Sequence, residues 1–197
     1  MDVYVAGRDC AAYYDDAALD TNDAVRVAHR PALARRDDWR VSRFLKQRVA
    51  ADGRCRSLSH SGGAALLACA ESVVGADLER LRPRDFRAWQ DNILHPHEHI
   101  WLARHGRTLT AHYALWTLKE ALLKAAGLAF ADLADVGIRQ HGGHWRLCAD
   151  GRVWHGAVWR VGGDFAAACV WRQAGETVCW HGFGAWQTVR VAEWCGF

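Results

Sequence analysis

Lysine is almost missing from this chain: only three of its 25 basic side chains are lysine, at Lys46, Lys119 and Lys124. Wherever a solvated positive charge suffices, the sequence uses arginine. Two of the three lysines fall within six residues of each other, and an ammonium does what a guanidinium cannot: it gives up a proton near neutral pH and makes a point contact to phosphate. Long apolar runs are missing too. None reaches the ~18 residues of a membrane span, and Met1-Asp2-Val3 does not open a signal peptide, so the expected location is cytoplasmic. The seven cysteines, Cys10, Cys55, Cys69, Cys148, Cys169, Cys179 and Cys195, include no CxxC pair and are odd in number. That excludes a thiolate zinc site and a complete disulfide framework, leaving an expectation of buried thiols. A net charge of +3 is too small for bulk nucleic-acid binding, while leaving a basic surface open to an acidic protein partner. What is present, 51% hydrophobic and 24% charged residues in 197, suits one large or two small globular domains.

Trp116 to Gly127 reads as a helix. At ~100° per residue, Ala111, Leu115, Leu118, Leu122 and Ala126 share one face, with Tyr113, Trp116, Glu120 and Lys124 opposite. Thr108 or Thr110 is placed to cap its start and Gly127 to end it in a left-handed turn. Spacing alone leaves Glu120 and Lys124 open to a plain i,i+4 surface pair worth ~0.3 to 0.5 kcal/mol. Val73 to Glu79 reads as a strand, with Val74, Ala76 and Leu78 on one face and Gly75, Asp77 and Glu79 on the other. Two carboxylates ~7 Å apart on one strand face repel unless a cation lies between them. Hard oxygen ligands suit Mg²⁺, though a polar strand end facing water has the same pattern.

Val74-Gly75-Ala76-Asp77-Leu78-Glu79 and Trp116-Thr-Leu-Lys119-Glu120-Ala-Leu-Leu-Lys124-Ala-Ala-Gly127 resemble the paired signature of the 4'-phosphopantetheinyl transferases, (V)GxDxE and WxxKExxxKxxG. The leading Trp and the chain length are similar to the longer, surfactin-synthetase-activating (Sfp-like) subfamily rather than the short trimeric one. Ser57-Leu58-Ser59-His60-Ser61 resembles that subfamily's SHS segment, and His97-Glu98-His99-Ile100-Trp101-Leu102 sits where it has a short helix with an acidic start. The resemblance implies an α+β fold of two similar halves, here residues 1–92 and 93–197, related by a pseudo-twofold axis, with the active site in the cleft between them.

Elsewhere the pattern is coarser. Residues 1–6 alternate like a strand, and Asp15 to Asn22 is rich in turn residues. A helix capped by Asp37 or Asp38 is expected to run toward Gly53, with Val41, Phe44, Leu45 and Val49 inward and Arg36, Arg40, Arg43 and Gln47 in solvent. Between this helix and Ser57 only Ala51 to Arg56 remain, where typical relatives carry a longer Gly-Lys-Pro-like loop. Ala64 to Ala70 reads as a buried strand, and Arg80 to Asp85 as a charged, Pro-interrupted connection. Phe86 to Asn92 and the segment from Pro96 are helical, the latter turning Trp101 and Leu102 inward, so His95, His97 and His99 are read as adventitious rather than metal ligands. Beyond Gly127 come strands at Val136–Gln140, Trp145–Cys148, Val153–Val161 and Phe165–Trp171. Most of the eleven tryptophans are expected in the core. The tail from Glu176 has no assignment.

The activity implied by the resemblance is transfer of the phosphopantetheine arm of coenzyme A to a serine hydroxyl of an acyl, peptidyl or aryl carrier protein, by a monomer. Asp77, Glu79 and Glu120 would hold Mg²⁺, or Mn²⁺ in its place. Ser59 and His60 would touch the phosphates of coenzyme A, Arg40 and more loosely Arg36 its 3'-phosphate. Lys119 and Lys124 would neutralise phosphate oxygens, Lys124 would protonate the departing 3',5'-ADP, and Glu120 would take the serine proton. A metal-dependent phosphodiesterase and a non-catalytic carrier-protein binder are the two other classes the residues allow. The first lacks a dense basic tract for a nucleic-acid substrate, and the second would tolerate loss of an acidic or lysine position, none of which is lost.

Overall fold

The computed structural model describes the backbone of residues 1–197 and the side chains of all but residues 88, 89 and 91. In chain order the elements are β1 (Asp2–Ala6), α1 (Thr21–His29), α2 (Asp37–Arg48), β2 (Cys55–Ser61), β3 (Ala64–Ala70), β4 (Val74–Arg80), α3 (Arg87–Ile93), α4 (Pro96–Arg104) and α5 (Leu109–Ala126). There follow β5 (Gly137–His141), β6 (His144–Ala149), β7 (Arg152–Val161), β8 (Phe165–Trp171), β9 (Cys179–Phe183) and β10 (Val191–Gly196). The fold is α+β, in four layers. α2 covers a sheet of order β2-β3-β1-β9, which packs face to face on a second sheet of order β4-β8-β7-β6-β5, whose far face carries α5.

This layering explains the two continuous apolar runs. β3 sends Ala65, Leu67 and Cys69 to Val41, Phe44 and Leu45 of α2, and Leu66, Ala68 and Ala70 to the second sheet. β8 divides its residues in the same way between α5 and the first sheet. A strand buried on both faces has no polar face to alternate with. β4, by contrast, keeps the expected alternation: Val74, Ala76 and Leu78 enter the inter-sheet core, and Gly75 faces α5, where an added Cβ would clash with Ala121 O and Ala125 N.

The pairing order repeats. β1 pairs with β3 and β3 with β2; β4 pairs with β8 and β8 with β7, in each case with helices between the first strand and the second. The chain passes from the first sheet to the second between Ala70 and Val74, so β4 pairs with strands of the C-terminal part. The tail is not confined to the second sheet: β9 crosses back to pair in parallel with β1, and β10 lies on β7.

Several expectations change. α5 is buried almost all round, so Tyr113 is 1% exposed, edge-on to Phe86, with its hydroxyl donating to Arg82 O at 3.2 Å. Thr108 does cap α5, and Gly127 closes it at φ 67°. Neither Asp37 nor Asp38 caps α2, which stops at Arg48. Arg43, expected in solvent, is 4% exposed because α1 lies over that side of α2 and brings Asp23 to 2.7 Å from its Nη2. Cys55 and Cys179 are exposed, at the starts of the two edge strands of the first sheet, and the other five cysteines are buried or half-buried. No helix is long and apolar enough to cross a membrane among the described residues.

Candidate active site

β4 and α5 bring the motif residues together. With no Cβ at Gly75 between them, strand and helix lie in contact, so that Asp77 and Glu79 on one meet Glu120 and Lys124 on the other. Lys124 Nζ donates to Asp77 Oδ1 at 2.8 Å and to Ala76 O at 2.9 Å. Its partner is thus across the interface, and among the described residues no ion pair joins it to Glu120. Asp77 is 5% exposed, and its second oxygen, Oδ2, is buried with no donor. Burial pushes the Glu79 carboxyl above the usual range, with the charge of Asp77 adding to the shift and Ser61, Arg84 and Lys124 opposing it. Glu120 is raised by the same causes, burial first, then Asp77 and Glu79, against Lys124. One buried and two half-buried carboxylates that repel one another, the buried one with an orphaned oxygen, suit a divalent cation. As they stand, no three His, Cys, Asp or Glu side chains form a group placed to hold a metal ion among the described residues. Mg²⁺ does not need one, since it takes one or two carboxylates and completes its shell with water and substrate phosphate.

A second strand braces these carboxylates. Ser57, Ser59 and Ser61 alternate along β2 and all face β4: Ser57 Oγ accepts from Ala76 N at 2.8 Å, Ser59 Oγ donates to Asp77 Oδ1 at 2.8 Å, and Ser61 Oγ donates to Glu79 Oε2 at 2.8 Å. Ser59, expected at a phosphate, is 7% exposed and committed to Asp77. Ser57 and Ser61 belong to the segment that resembles the family's SHS motif but were given no role from sequence, although their two-residue period was visible there.

Lys119 is a correction. It is 0% exposed and turned away from the cluster, donating to Glu98 Oε2 at 2.8 Å, Glu98 Oε1 at 3.1 Å and Val136 O at 2.6 Å. Burial pulls its pKa below the usual lysine range, against the pull of Glu98. Neighbours on a helix point ~100° apart, so when Glu120 faces β4, Lys119 faces α4 and β5. Glu98 looked from sequence like a helix-start residue. It does accept from His95 N at 2.9 Å, and it also takes Ile138 N at 2.9 Å, which ties α4, α5 and β5 at one buried point. His95 and His97 serve the backbone through Nδ1, the first accepting from His97 N and the second from Gln140 N.

On the face of β2 turned away from β4, α1, α2 and β2 enclose a cavity of about 530 Å³ lined by Arg26, Arg43, Lys46, Arg56, Leu58 and His60, with Asn22, Asp23 and Leu67. Of its four cations, Arg26, Arg43 and Lys46 pair with the one carboxylate, Asp23, so the lining as a whole is positive. Arg36 and Arg40 are not in its lining. Arg36 binds Asp38 through two nitrogens, at 3.1 and 2.7 Å, and the Arg40 guanidinium lies 5.7 Å from the Tyr14 ring. The cations that do line the cavity lie beneath α1, a helix the sequence pattern did not announce. His60 stands at the junction, its Nδ1 3.3 Å from Asp38 Oδ2, and the charges of Arg43, Arg36 and Lys124 all reach it. Burial holds its pKa below the usual imidazole value, with Asp38 pulling the other way. A larger cavity, about 860 Å³ around Trp186, contains none of these residues.

The family model of the 4'-phosphopantetheinyl transferase superfamily matches residues 73–170, which is the stretch from β4 through β8. The chain is 32% identical over 123 residues to the 4'-phosphopantetheinyl transferase AcpT of Salmonella typhi, covering 51% of this chain and 64% of that protein. It is 35% identical over 66 residues to a putative 4'-phosphopantetheinyl transferase of Haemophilus influenzae, covering 34% and 28%. With the 4'-phosphopantetheinyl transferase gsp of Aneurinibacillus migulanus it shares 32% over 73 residues, covering 36% and 30%. The chain thus matches less than two thirds of the length of each of these relatives. The matched stretch holds both arms of the carboxylate cluster, β4 and α5, so the likeness to the 4'-phosphopantetheinyl transferase superfamily falls on the candidate site itself.

Proposed function

We propose that the protein transfers the 4'-phosphopantetheine arm of coenzyme A to a serine hydroxyl of an acyl, peptidyl or aryl carrier protein, releasing 3',5'-ADP. One observation carries this reading: Asp77, Glu79, Glu120 and Lys124 converge between β4 and α5, braced by Ser59 and Ser61 of β2, the strand whose other face lines the cavity with cations. Arg26, Lys46, Arg56 and His60 are the groups we assign to the phosphates of the ADP portion, in place of Arg36 and Arg40. Asp77, Glu79 and Glu120 would hold Mg²⁺ or Mn²⁺, which when bound neutralises charge on the pyrophosphate and on the transferred phosphoryl group.

The remaining chemistry belongs to the chain. The serine oxygen attacks the phosphorus carrying the pantetheine arm, the phosphoanhydride P–O bond breaks, and its electron pair leaves with 3',5'-ADP. Glu120, half-buried on the helix face turned to β4, takes the serine proton. Lys124, released from Asp77 by competition for that oxygen, contacts the departing phosphate and supplies its proton. The repeated pairing order of the two sheets supports a pseudo-twofold pair of halves with the site in the cleft between them, and placement in the longer, monomeric subfamily. Coenzyme A as co-substrate is in keeping with a cytoplasmic location. The test is to incubate the protein with coenzyme A, Mg²⁺ and an apo carrier protein and to weigh the carrier. A gain of one phosphopantetheine supports the assignment. Cleavage of coenzyme A with an unmodified carrier would make the protein a phosphodiesterase, and a complex with neither change would make it a binder.

A further inference from the structure

Glu79 reaches the carboxylate cluster on a side chain with three rotatable bonds, from a strand face it shares with the like charge of Asp77. Repulsion favours rotamers that carry it away. Among the described residues the Ser61 hydroxyl is the one hydrogen-bond donor to it, at 2.8 Å, and the same oxygen accepts from Arg80 N at 3.2 Å. The hydroxyl proton is therefore committed to Glu79, and the serine oxygen is anchored to the backbone of the strand that carries the carboxylate. Ser59 makes the corresponding bond to Asp77, whereas Ser57, two residues earlier, touches only a backbone amide.

We propose that Ser61 is a positioning residue of this site: its hydroxyl holds the Glu79 carboxylate beside Asp77, in the orientation in which both ligate one divalent cation. The proposal rests on the cation reading given above. Partners that orient a metal's ligands typically change affinity by about 10- to 100-fold when removed. Threonine and valine at position 61 have the same shape, suit a strand, and differ by the hydroxyl alone. The experiment is titration of the protein with Mn²⁺ alone, following free Mn²⁺ by electron paramagnetic resonance, with melting curves run beside it. Ser61→Val should bind Mn²⁺ about 10- to 100-fold more weakly than wild type, Ser61→Thr should match wild type, and Ser57→Ala should lose melting temperature without losing Mn²⁺. Equal affinity in Ser61→Val and wild type would overturn the positioning role, as would equal weakening in Ser61→Val and Ser61→Thr. An Mn²⁺ loss in Ser57→Ala as large as that in Ser61→Val would reduce the serines to a structural seam. A wild-type protein that takes up no Mn²⁺ would instead overturn the cation reading itself.

Discussion

Replacing Lys119 by methionine separates a lysine that touches substrate from one that holds the core. The methionine fills the stem's volume, so the change is confined to the ammonium and its three bonds, to both Glu98 oxygens and to Val136 O. Removing one partner of a buried pair costs about 3 to 5 kcal/mol, because the other charge is left uncompensated. Glu98 is not left bare here: it keeps His95 N and Ile138 N, and Arg139 Nη1 lies 3.6 Å from Oε1. The cost should therefore sit near the lower limit, about 3 kcal/mol, which at 2 to 4 °C per kcal/mol lowers the melting temperature by about 6 to 12 °C. Glu98→Ala should cost more, about 5 kcal/mol, since Lys119 would keep Val136 O alone. The double change Glu98→Leu with Lys119→Met should recover part of the sum, as apolar replacements of buried pairs do. Urea unfolding at unchanged slope gives the energies, and calorimetry below the melting range gives the affinity for coenzyme A. If Lys119→Met melts like wild type but binds coenzyme A tenfold more weakly, the buried-pair account is wrong and Lys119 returns to the substrate.

Lys124→Arg should fold and bind coenzyme A yet lose on the order of 10² or more in turnover, since arginine does not donate a proton at neutral pH; wild-type turnover would remove Lys124 as the acid. Activity should vanish with chelator and return with Mg²⁺ or Mn²⁺, and the metal should raise the melting temperature, by ~2.7 kcal/mol of stability at a hundredfold excess over Kd; full activity in chelator contradicts the carboxylate assignment. Arg56→Ala should weaken coenzyme A about tenfold or more but dephospho-coenzyme A less, on the scale of one charged hydrogen bond, while Arg40→Ala should leave that ratio unchanged; the reverse pattern would restore Arg40. The lowered pKa of His60 means that the unfolded chain takes a proton which the folded chain refuses. Its contribution to stability is full above 6.5 and lost as pH falls through the lowered folded value, so the fall in urea midpoint between pH 7.5 and 5.5 should be smaller in His60→Gln, and an identical fall would show that His60 does not govern it.

What the sequence disclosed depended on how local the cause was. β4, the cap and end of α5, and the strands after Gly127 follow from periodicity and turn chemistry within a few residues. Lys119 was misplaced because its motif neighbours pulled it toward the chemistry, while the partner that explains it, Glu98, lies 21 residues away and across a helix junction. Arg43 was misread for a related reason. Asp15 to Asn22 looked like turn, so α1, which covers that arginine, was not expected, and the cation-lined cavity that α1 helps to enclose was not expected either. The tail stayed unread because β9 takes its place from β1, nearly the whole chain length away.

Gly75 carries no chemistry, yet it sets the distance at which the chemistry operates. Because it admits the backbone of Ala121 and Ala125 directly onto β4, the gap between strand and helix is fixed by main-chain atoms, which do not change when side chains do. Lys124 spans that gap to Asp77, and Glu120 sits one turn along. The three carboxylates and the lysine thus behave as a single instrument whose calibration is one missing methyl group. Substitutions elsewhere on α5 can alter its packing while the calibration holds, whereas a methyl at this one position would decalibrate the site and leave every charged group in place.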